Sequence, residues 1–261
     1  MTSPLLLKLP WGSSSVGGFT STRQGGCSKG AYNSLNLGLN TADDAPRVVE
    51  NRRLAAHQGG IDPSRIVYAC QIHSDRIVEV QTKHAGLGSL SWDQGIADCD
   101  ALWTRTPGLG LAMGHADCLV VALADVQAGI LGIAHAGWRG ALAALPAKLV
   151  SRMISEGAQA ERLQAFLSPC LGPDSLELAS EQYDLFTRAF EHSEDFCSAL
   201  KKGHFLLNLW GCVKRQLLDA GLDATHVQGQ EIDTGAHSEL FYSHRRDNGK
   251  TGRMMTVVSL N

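Results

Sequence analysis

The chain has no C-x-x-C pair, no internal repeat, no low-complexity tract and no block of like charge. No apolar run approaches the ~18–20 residues of a membrane span. Each absence removes a class of protein. Seven cysteines stand scattered at 27, 70, 99, 118, 170, 197 and 212, and an odd, unpatterned set is not a disulfide framework. Lys+Arg 23 against Asp+Glu 26 gives a net charge of −3, without the basic surplus of a nucleic-acid binder. Met1-Thr2-Ser3-Pro4-Leu5-Leu6-Leu7-Lys8 has neither a basic n-region nor an apolar h-region long enough for export. A cytoplasmic protein with no membrane and no nucleic-acid partner is expected. Catalytic signatures are also missing: there is no G-x-S-x-G elbow, no Walker loop and no H-E-x-x-H. Gly108-Leu-Gly110 is followed by Ala112 and leaves a dinucleotide fingerprint incomplete.

What is present suits a soluble globular protein: 261 residues, 44% hydrophobic and 19% charged, enough to bury a core unaided. With no linker, and at ~100–200 residues per domain, residues 1–261 read as one domain of the α/β class. Trp11 to Asn40, rich in Gly, Ser, Thr and Asn, reads as a long functional loop. Asp43–Gln58 reads as a helix with Thr41 or Asp43 as N-cap and Gly59-Gly60 as the stop. Strands are expected at Arg65–Cys70, Arg76–Gln81, Leu109–Met113 and Leu163–Leu167, and at Met255–Leu260. Cys118–Ala124 and Gly129–His135 are nearly continuous apolar runs, the pattern of strands buried on both faces. Helices follow at Ala141–Glu156, with Pro146 kinking or dividing it, at Ser180–Glu191 and at Leu207–Ala220.

The two apolar runs bring chemistry together. A four-residue connection, Asp125-Val-Gln-Ala128, pairs Ala124 with Gly129 and therefore sets Cys118 directly opposite His135 on one face. A one-residue slip would put them on opposite faces. Such a pair can share a metal ion, or His135 can deprotonate Cys118. The plainer alternative is a core thiol beside a hydrogen-bonded interior histidine. A catalytic zinc takes three protein ligands and keeps one position open, and two histidines are placed to supply the third. His73 follows the strand ending at Cys70-Gln71, and His115 lies three residues before Cys118. Thiolate with imidazole suits zinc or copper.

Two further stretches carry charge. His135-Ala-Gly-Trp-Arg139-Gly140 joins a strand end to a helix start, where exposed N–H groups and Arg139 form an anion site; its bland reading is a tight turn. Arg245, Arg246, Lys250 and Arg253 crowd into the eleven residues from Ser243 to Arg253. A solvated loop is the ordinary explanation; an inward arginine bound to a carboxylate or phosphate is the other.

Several of these stretches, taken in order, resemble one family. Ser21-Thr-Arg-Gln-Gly-Gly26, Tyr32-Asn-Ser-Leu-Asn-Leu-Gly38, Gln71-Ile-His73, Ala116-Asp-Cys-Leu119, Ala134-His-Ala-Gly-Trp-Arg-Gly140, Arg245-Arg-Asp and Thr251-Gly-Arg-Met254 are similar to the laccase-domain (YfiH-like) family. The resemblance implies a single α/β domain of layered mixed sheets flanked by helices, like the catalytic domain of cytotoxic necrotizing toxins. It implies zinc-dependent phosphorolysis of adenosine, inosine and S-methyl-5'-thioadenosine, with adenosine deamination as a second activity, in a family first named for copper polyphenol oxidation. It also places the metal on His73, Cys118 and His135, choosing His73 over His115. Three positions depart from the family pattern: His115 replaces a small hydroxyl residue, Ser74 a common Gly, and Asp233-Thr234 a frequent Cys-Thr.

On this reading the metal activates water for attack at C6 of adenine, with Asp117 as proton carrier or as a structural turn residue. Phosphate is held by Arg139, neighbouring N–H groups and Arg23 for attack at the anomeric carbon, while Asn36 and Gln71 bond to sugar or base. The expected partners are purine nucleosides and phosphate. Competing readings are a copper-dependent polyphenol oxidase, a thiol hydrolase with Cys118 as nucleophile and His135 as base, and a non-enzymatic metal-binding module. A single Cys/His/His site is too small for a multi-copper cluster.

Overall fold

The computed structural model describes residues 3–11, 15–201 and 203–260; residues 1–2 of the N-terminal segment and 12–14 of the expected loop lie outside the described residues. In chain order the elements are β1 (Leu6–Lys8), β2 (Val16–Ser21), α1 (Ala45–Gln58), β3 (Ile66–Tyr68), β4 (Ile77–Glu79), β5 (Ala101–Thr104) and β6 (Gly110–His115). They continue with β7 (Leu119–Asp125), β8 (Ile130–Ala136), α2 (Trp138–Leu142), α3 (Leu145–Ser155), β9 (Gln164–Leu167), β10 (Glu177–Ala179) and α4 (Ser180–Ala189). The last are β11 (Cys197–Lys201), β12 (His204–Leu207), α5 (Leu209–Asp219), β13 (Val227–Gly229) and β14 (Met254–Leu260).

Every residue of β7 and β8 is buried, and strand alternation sends them to two different cores. Leu119, Val121 and Leu123 face a cluster with Leu149 and Met153 of α3 and Val213 and Leu217 of α5. Val120, Ala122 and Ala124 face Leu111 and Met113 of β6 and Val258 of β14. The six-stranded sheet β13-β9-β7-β8-β5-β4 is therefore covered by helices on one face and by the five-stranded sheet β1-β2-β14-β6-β3 on the other. Outside that second sheet, Ala55 and Ala56 of α1 pack on Phe19, Ile66 and Val257. A small sheet, β10-β12-β11, packs with α4 onto the helical core through Leu178, Phe186 and Leu207. The mixed α/β class and the layering expected from the resemblance are both present.

Three differences from the sequence expectation have physical causes. The stretch from Trp11 to Asn40 is not all loop, because β2 pairs with β1 and β14; two glycines in Val16-Gly-Gly-Phe-Thr-Ser21 dilute the strand signal. Pro146 sits in the first turn of α3 and divides the expected helix, with Ala144 in the left-handed region at φ 53°. Neither Thr41 nor Asp43 caps α1; Asp44 holds the N-cap position, while Thr41 and Asp43 accept from the Asn36 side chain at 2.9 and 3.0 Å.

The β7–β8 hairpin is also re-registered. Asp125 is the last strand residue, pairing with Ile130, and His135 lies opposite Val120 rather than Cys118. The loop is Val126–Gly129, with Gly129 at φ 63°. The fully buried Asp125 carboxylate accepts from the Ala128 N–H at 3.0 Å, the Gln159 N–H at 2.9 Å and the Arg162 guanidinium at 2.9 Å. These bonds draw Asp125 into the sheet. The shift is two residues, an even number, so Cys118 and His135 keep a common face. Asp125→Ala strands three donors, and urea unfolding is expected to show a loss of about 2–4 kcal/mol.

Candidate metal centre

Three chain segments leave strand ends toward one cleft: Gln71-Ile-His73 beyond β3, Ala116-Asp-Cys118 beyond β6, and Gly137-Trp-Arg139 beyond β8. Carboxyl ends of strands are where an α/β sheet leaves room for a ligand. The cleft holds about 440 Å³ and is lined by residues of α1, β3, β6 and β14 together with these three segments. At its wall, donor atoms of His73, Cys118 and His135 all lie within 4.8 Å of one another, with Cys118 Sγ 4.0 Å from His73 Nε2 and the two imidazole centroids 5.0 Å apart.

Asp100, fully buried just before β5, holds two of the three ligands. Its Oδ1 accepts from His135 Nδ1 at 2.9 Å, which leaves Nε2 as the nitrogen that could bind a metal, and its carbonyl accepts from the His135 N–H at 2.7 Å. Its Oδ2 accepts from the N–H groups of Ile72 at 3.2 Å and Ser74 at 2.6 Å, and from the Ser74 hydroxyl at 2.9 Å. Those bonds clamp the turn that puts His73 at φ 62°, a left-handed conformation that histidine tolerates better than most residues. The Ser74 side chain thus has a task that a glycine there lacks.

Cys118 is set by Asp117, whose φ of 88° is a strained value for a residue with a Cβ. Thr234 Oγ1 donates to Asp117 Oδ1 at 2.7 Å, the Arg245 N–H donates to Oδ2 at 2.6 Å, and the Leu171 N–H donates to the Asp117 carbonyl at 2.8 Å. Gly137 continues the β8 register opposite Cys118. A Cβ on it would lie 2.8 Å from Cys118 Sγ, so glycine leaves the space that the thiol occupies.

The electrostatics favour a charged ligand set. Burial raises the Cys118 pKa, but the charge and hydrogen bonds of His135 and His73 outweigh it and pull the thiol down. Burial lowers that of His135, but the Cys118 thiolate and the Asp100 carboxylate pull it up. Both shifts run toward a thiolate beside an imidazolium. Bonds of about 2.0–2.3 Å to a tetrahedral ion put donor atoms about 3.3–3.7 Å apart, so small adjustments bring the triad onto one ion. The carboxylate behind His135 is the usual partner of a coordinating histidine. The donor set fits a borderline-soft ion such as zinc or copper.

His115, the other sequence candidate, stands apart from the triad. It is buried, its Nε2 lies 3.2 Å from Thr256 Oγ1, and burial with the nearby His135 charge holds its pKa at about 3, keeping the ring neutral. Arg139 lines the cleft with its guanidinium 4.3 Å from the Trp138 ring centroid. The helix it begins has only five residues, so Arg139 rather than a helix dipole supplies charge there. Gln71 also lines the cleft, with its amide locked to Gly114 by bonds of 2.9 and 2.8 Å.

Two expected substrate contacts lie elsewhere. Arg23 is absent from the cleft wall: its guanidinium donates to the carbonyls of Asn33 and Ser238 at 2.8 and 3.0 Å and lies over Tyr242. The Asn36 side chain is fully buried and every bond it makes is internal. Sequence reasoning passed over Asp100, Arg52, Tyr68 and Trp138 as site residues. Tyr68 ends a recognised strand and Trp138 sits inside a quoted motif, but nothing local to Asp100 or Arg52 marks either.

A family model described as multi-copper polyphenol oxidoreductase laccase matches residues 18–261. The chain belongs to this family. It is 35% identical over 260 residues, covering all of this chain and 95% of the other, to a protein of Deinococcus radiodurans named purine nucleoside phosphorylase. It is 32% identical over 246 residues, 93% of each chain, to a protein of an unknown prokaryotic organism named adenosine deaminase RL5. The crystal structure of the Bacillus licheniformis hypothetical protein YfiH superposes with a TM-score of 0.92 at 31% identity, over 94% of this chain and 93% of that one. No helix among the described residues is long and apolar enough to cross a membrane.

Two substitutions test the centre by titration with a chromophoric chelator. Gly137→Ala, at an ordinary φ of −70°, is expected to keep the fold yet weaken metal binding at least about tenfold, by pressing on Cys118. Asp100→Asn is expected to weaken it about 10–100-fold, the usual cost of losing an outer-shell carboxylate.

Proposed function

We propose that the protein is a zinc-dependent purine nucleoside phosphorylase acting on adenosine, inosine and S-methyl-5'-thioadenosine, with adenosine deamination as a side activity. The observation that carries this reading is a three-ligand metal triad opening onto a cleft walled by arginines and aromatic rings. Relatives named purine nucleoside phosphorylase and adenosine deaminase support it. Among the described residues the triad is the one cluster of its kind, which suits a single ion better than a multi-copper assembly; copper is the alternative occupant.

His73, Cys118 and His135 hold the ion, which supplies Lewis-acid polarisation when bound. The remaining work belongs to the chain. Arg52, Arg139, Arg245 and Arg253 line the cleft, and four cations draw in an anionic co-substrate. Trp138, partly exposed in the cleft wall, offers aromatic surface against which a purine can pack. A phosphate oxygen forms a bond to the anomeric carbon as the bond to the purine nitrogen breaks. The electron pair leaves with the base, and the proton of hydrogen phosphate ends on that nitrogen. Asp117 serves as a positioning residue rather than a proton carrier, because both its oxygens accept from Thr234 and Arg245.

The test is incubation of metal-quantified protein with adenosine and with inosine, with and without phosphate, and chromatographic separation of the bases. Phosphate-dependent adenine and hypoxanthine, with about one zinc per chain, are expected. Inosine made from adenosine without phosphate and with no base release would replace the phosphorylase by a deaminase. Activity that survives metal removal and is lost on thiol alkylation would favour a Cys118–His135 hydrolase.

A further inference from the structure

Arg52 and Arg253 are more specialised than a generally positive cleft requires. Arg52 is 7% exposed, yet among the described residues no carboxylate pairs with it. Its Nε donates to the Leu37 carbonyl at 2.7 Å and its Nη1 to the Gly88 carbonyl at 2.6 Å. Its Cζ lies 4.1 Å from the Tyr68 ring centroid. No acceptor among the described residues takes a hydrogen from Nη2. Backbone carbonyls satisfy donors, but they leave a full positive charge uncompensated, and an unpaired buried charge is among the costliest groups a fold can keep. Arg253, partly buried, is bonded in a similar way: its Nη1 donates to the carbonyls of Thr251 and Gly252 at 3.1 and 2.9 Å, with no carboxylate among the described residues at salt-bridge distance. Both arginines line the cleft.

One loop builds the pair. The Leu37 N–H donates to the Arg253 carbonyl at 3.0 Å, while the Leu37 carbonyl takes Arg52 Nε. Asn36 Oδ1 accepts from the N–H groups of Arg253 at 2.8 Å and Gly38 at 3.0 Å. A Cβ on Gly38 would meet Arg253 Cγ at 2.5 Å, so the glycine admits that side chain. Asn36-Leu-Gly38 is thus a bracket that touches both arginines, Arg52 at its guanidinium and Arg253 at its backbone and Cγ.

We propose that Arg52 and Arg253 form the oxyanion subsite of the cleft and hold inorganic phosphate there; this rests on the phosphorylase reading. A guanidinium presents parallel N–H donors to a tetrahedral oxyanion, and the bound anion supplies the counter-charge that Arg52 lacks. Arg139 and Arg245 lie at exposed positions, where salt and water screen them, so they attract phosphate and the shielded pair retains it. The Arg253 charge also interacts with Cys118 and Asp117, which puts the subsite within electrostatic reach of the metal triad.

The experiment uses the metal-loaded full chain and measures KM for phosphate and for inosine separately, together with calorimetric binding of inorganic phosphate. Arg253→Gln is expected to raise the phosphate KM at least about tenfold while the inosine KM moves less than about threefold. Arg52→Lys, which keeps the charge and loses the fork, is expected to raise it in the same sense. Circular dichroism checks each fold, and Arg253→Gln alone suffices if the buried position does not tolerate lysine. Arg139→Gln is the comparison, and the subsite requires a smaller effect from it. Phosphate-dependent base release with an unchanged phosphate KM in Arg253→Gln would overturn the subsite and leave the phosphorylase standing. Calorimetric phosphate binding that Arg253→Gln abolishes, with no base released from any nucleoside, would keep the subsite and overturn the phosphorylase.

Discussion

The Asp100 carboxylate is where the candidate metal centre and the fold meet. One oxygen receives His135 Nδ1, and the other receives two N–H groups and a hydroxyl from the turn that carries His73. A carboxylate fully removed from water is tolerable only when its charge is matched and its lone pairs are filled, and here both conditions are met. Burial alone would push its pKa up, but the bonds from His135 and Ser74 overcome it and keep Asp100 ionised. Two of the three candidate ligands, from distant parts of the chain, therefore share one rigid reference point, itself anchored where β5 joins the six-stranded sheet.

The third ligand is fixed differently. Cys118 sits in a tight connection between β6 and β7, strained at Asp117 and held by groups from Thr234, Arg245 and Leu171. The strain is local, and the bonds that offset it come from segments far along the chain. The triad accordingly draws its support from both large sheets and from the segment from Thr234 to Arg245. Gly137 completes the arrangement by leaving empty the volume that the sulfur fills.

Charge is distributed on a different scale from composition. The chain carries a net −3, while the cleft gathers four arginines and its one carboxylate, Asp117, is spent on internal bonds. Low-dielectric walls magnify such a local imbalance. Asn36-Leu-Gly38 makes no contact with the cleft through Asn36 itself, yet it orders the arginines that do. Its motif was read from the sequence as a substrate contact, and its structural task is one step removed.

Much was legible in the chain because it depends on local rules. Period-two and fully apolar runs located β6, β7, β8, β9 and β14, since strand burial is written in neighbouring residues. The parity of the Cys118–His135 pairing survived a two-residue error, because an even shift preserves the face. Family motifs pointed to His73 as third ligand, and the structure brings it to the other two. Tertiary structure alone decided the rest. β2 was hidden by its glycines, since its pairing with β1 and β14 comes from segments remote in sequence. Arg23 and Asn36 were polar residues in plausible motifs, yet packing turned Arg23 toward backbone carbonyls and Asn36 into bonds with Thr41, Asp43 and two backbone N–H groups. Asp100 and Arg52 carry no sequence signal, because a carboxylate under a ligand and a buried cation without a partner are defined by what surrounds them in space. Sequence fixes which residues can do chemistry and which face of a strand they share; long-range packing decides which of them meet, because burial and counter-charge are properties of the assembled layers.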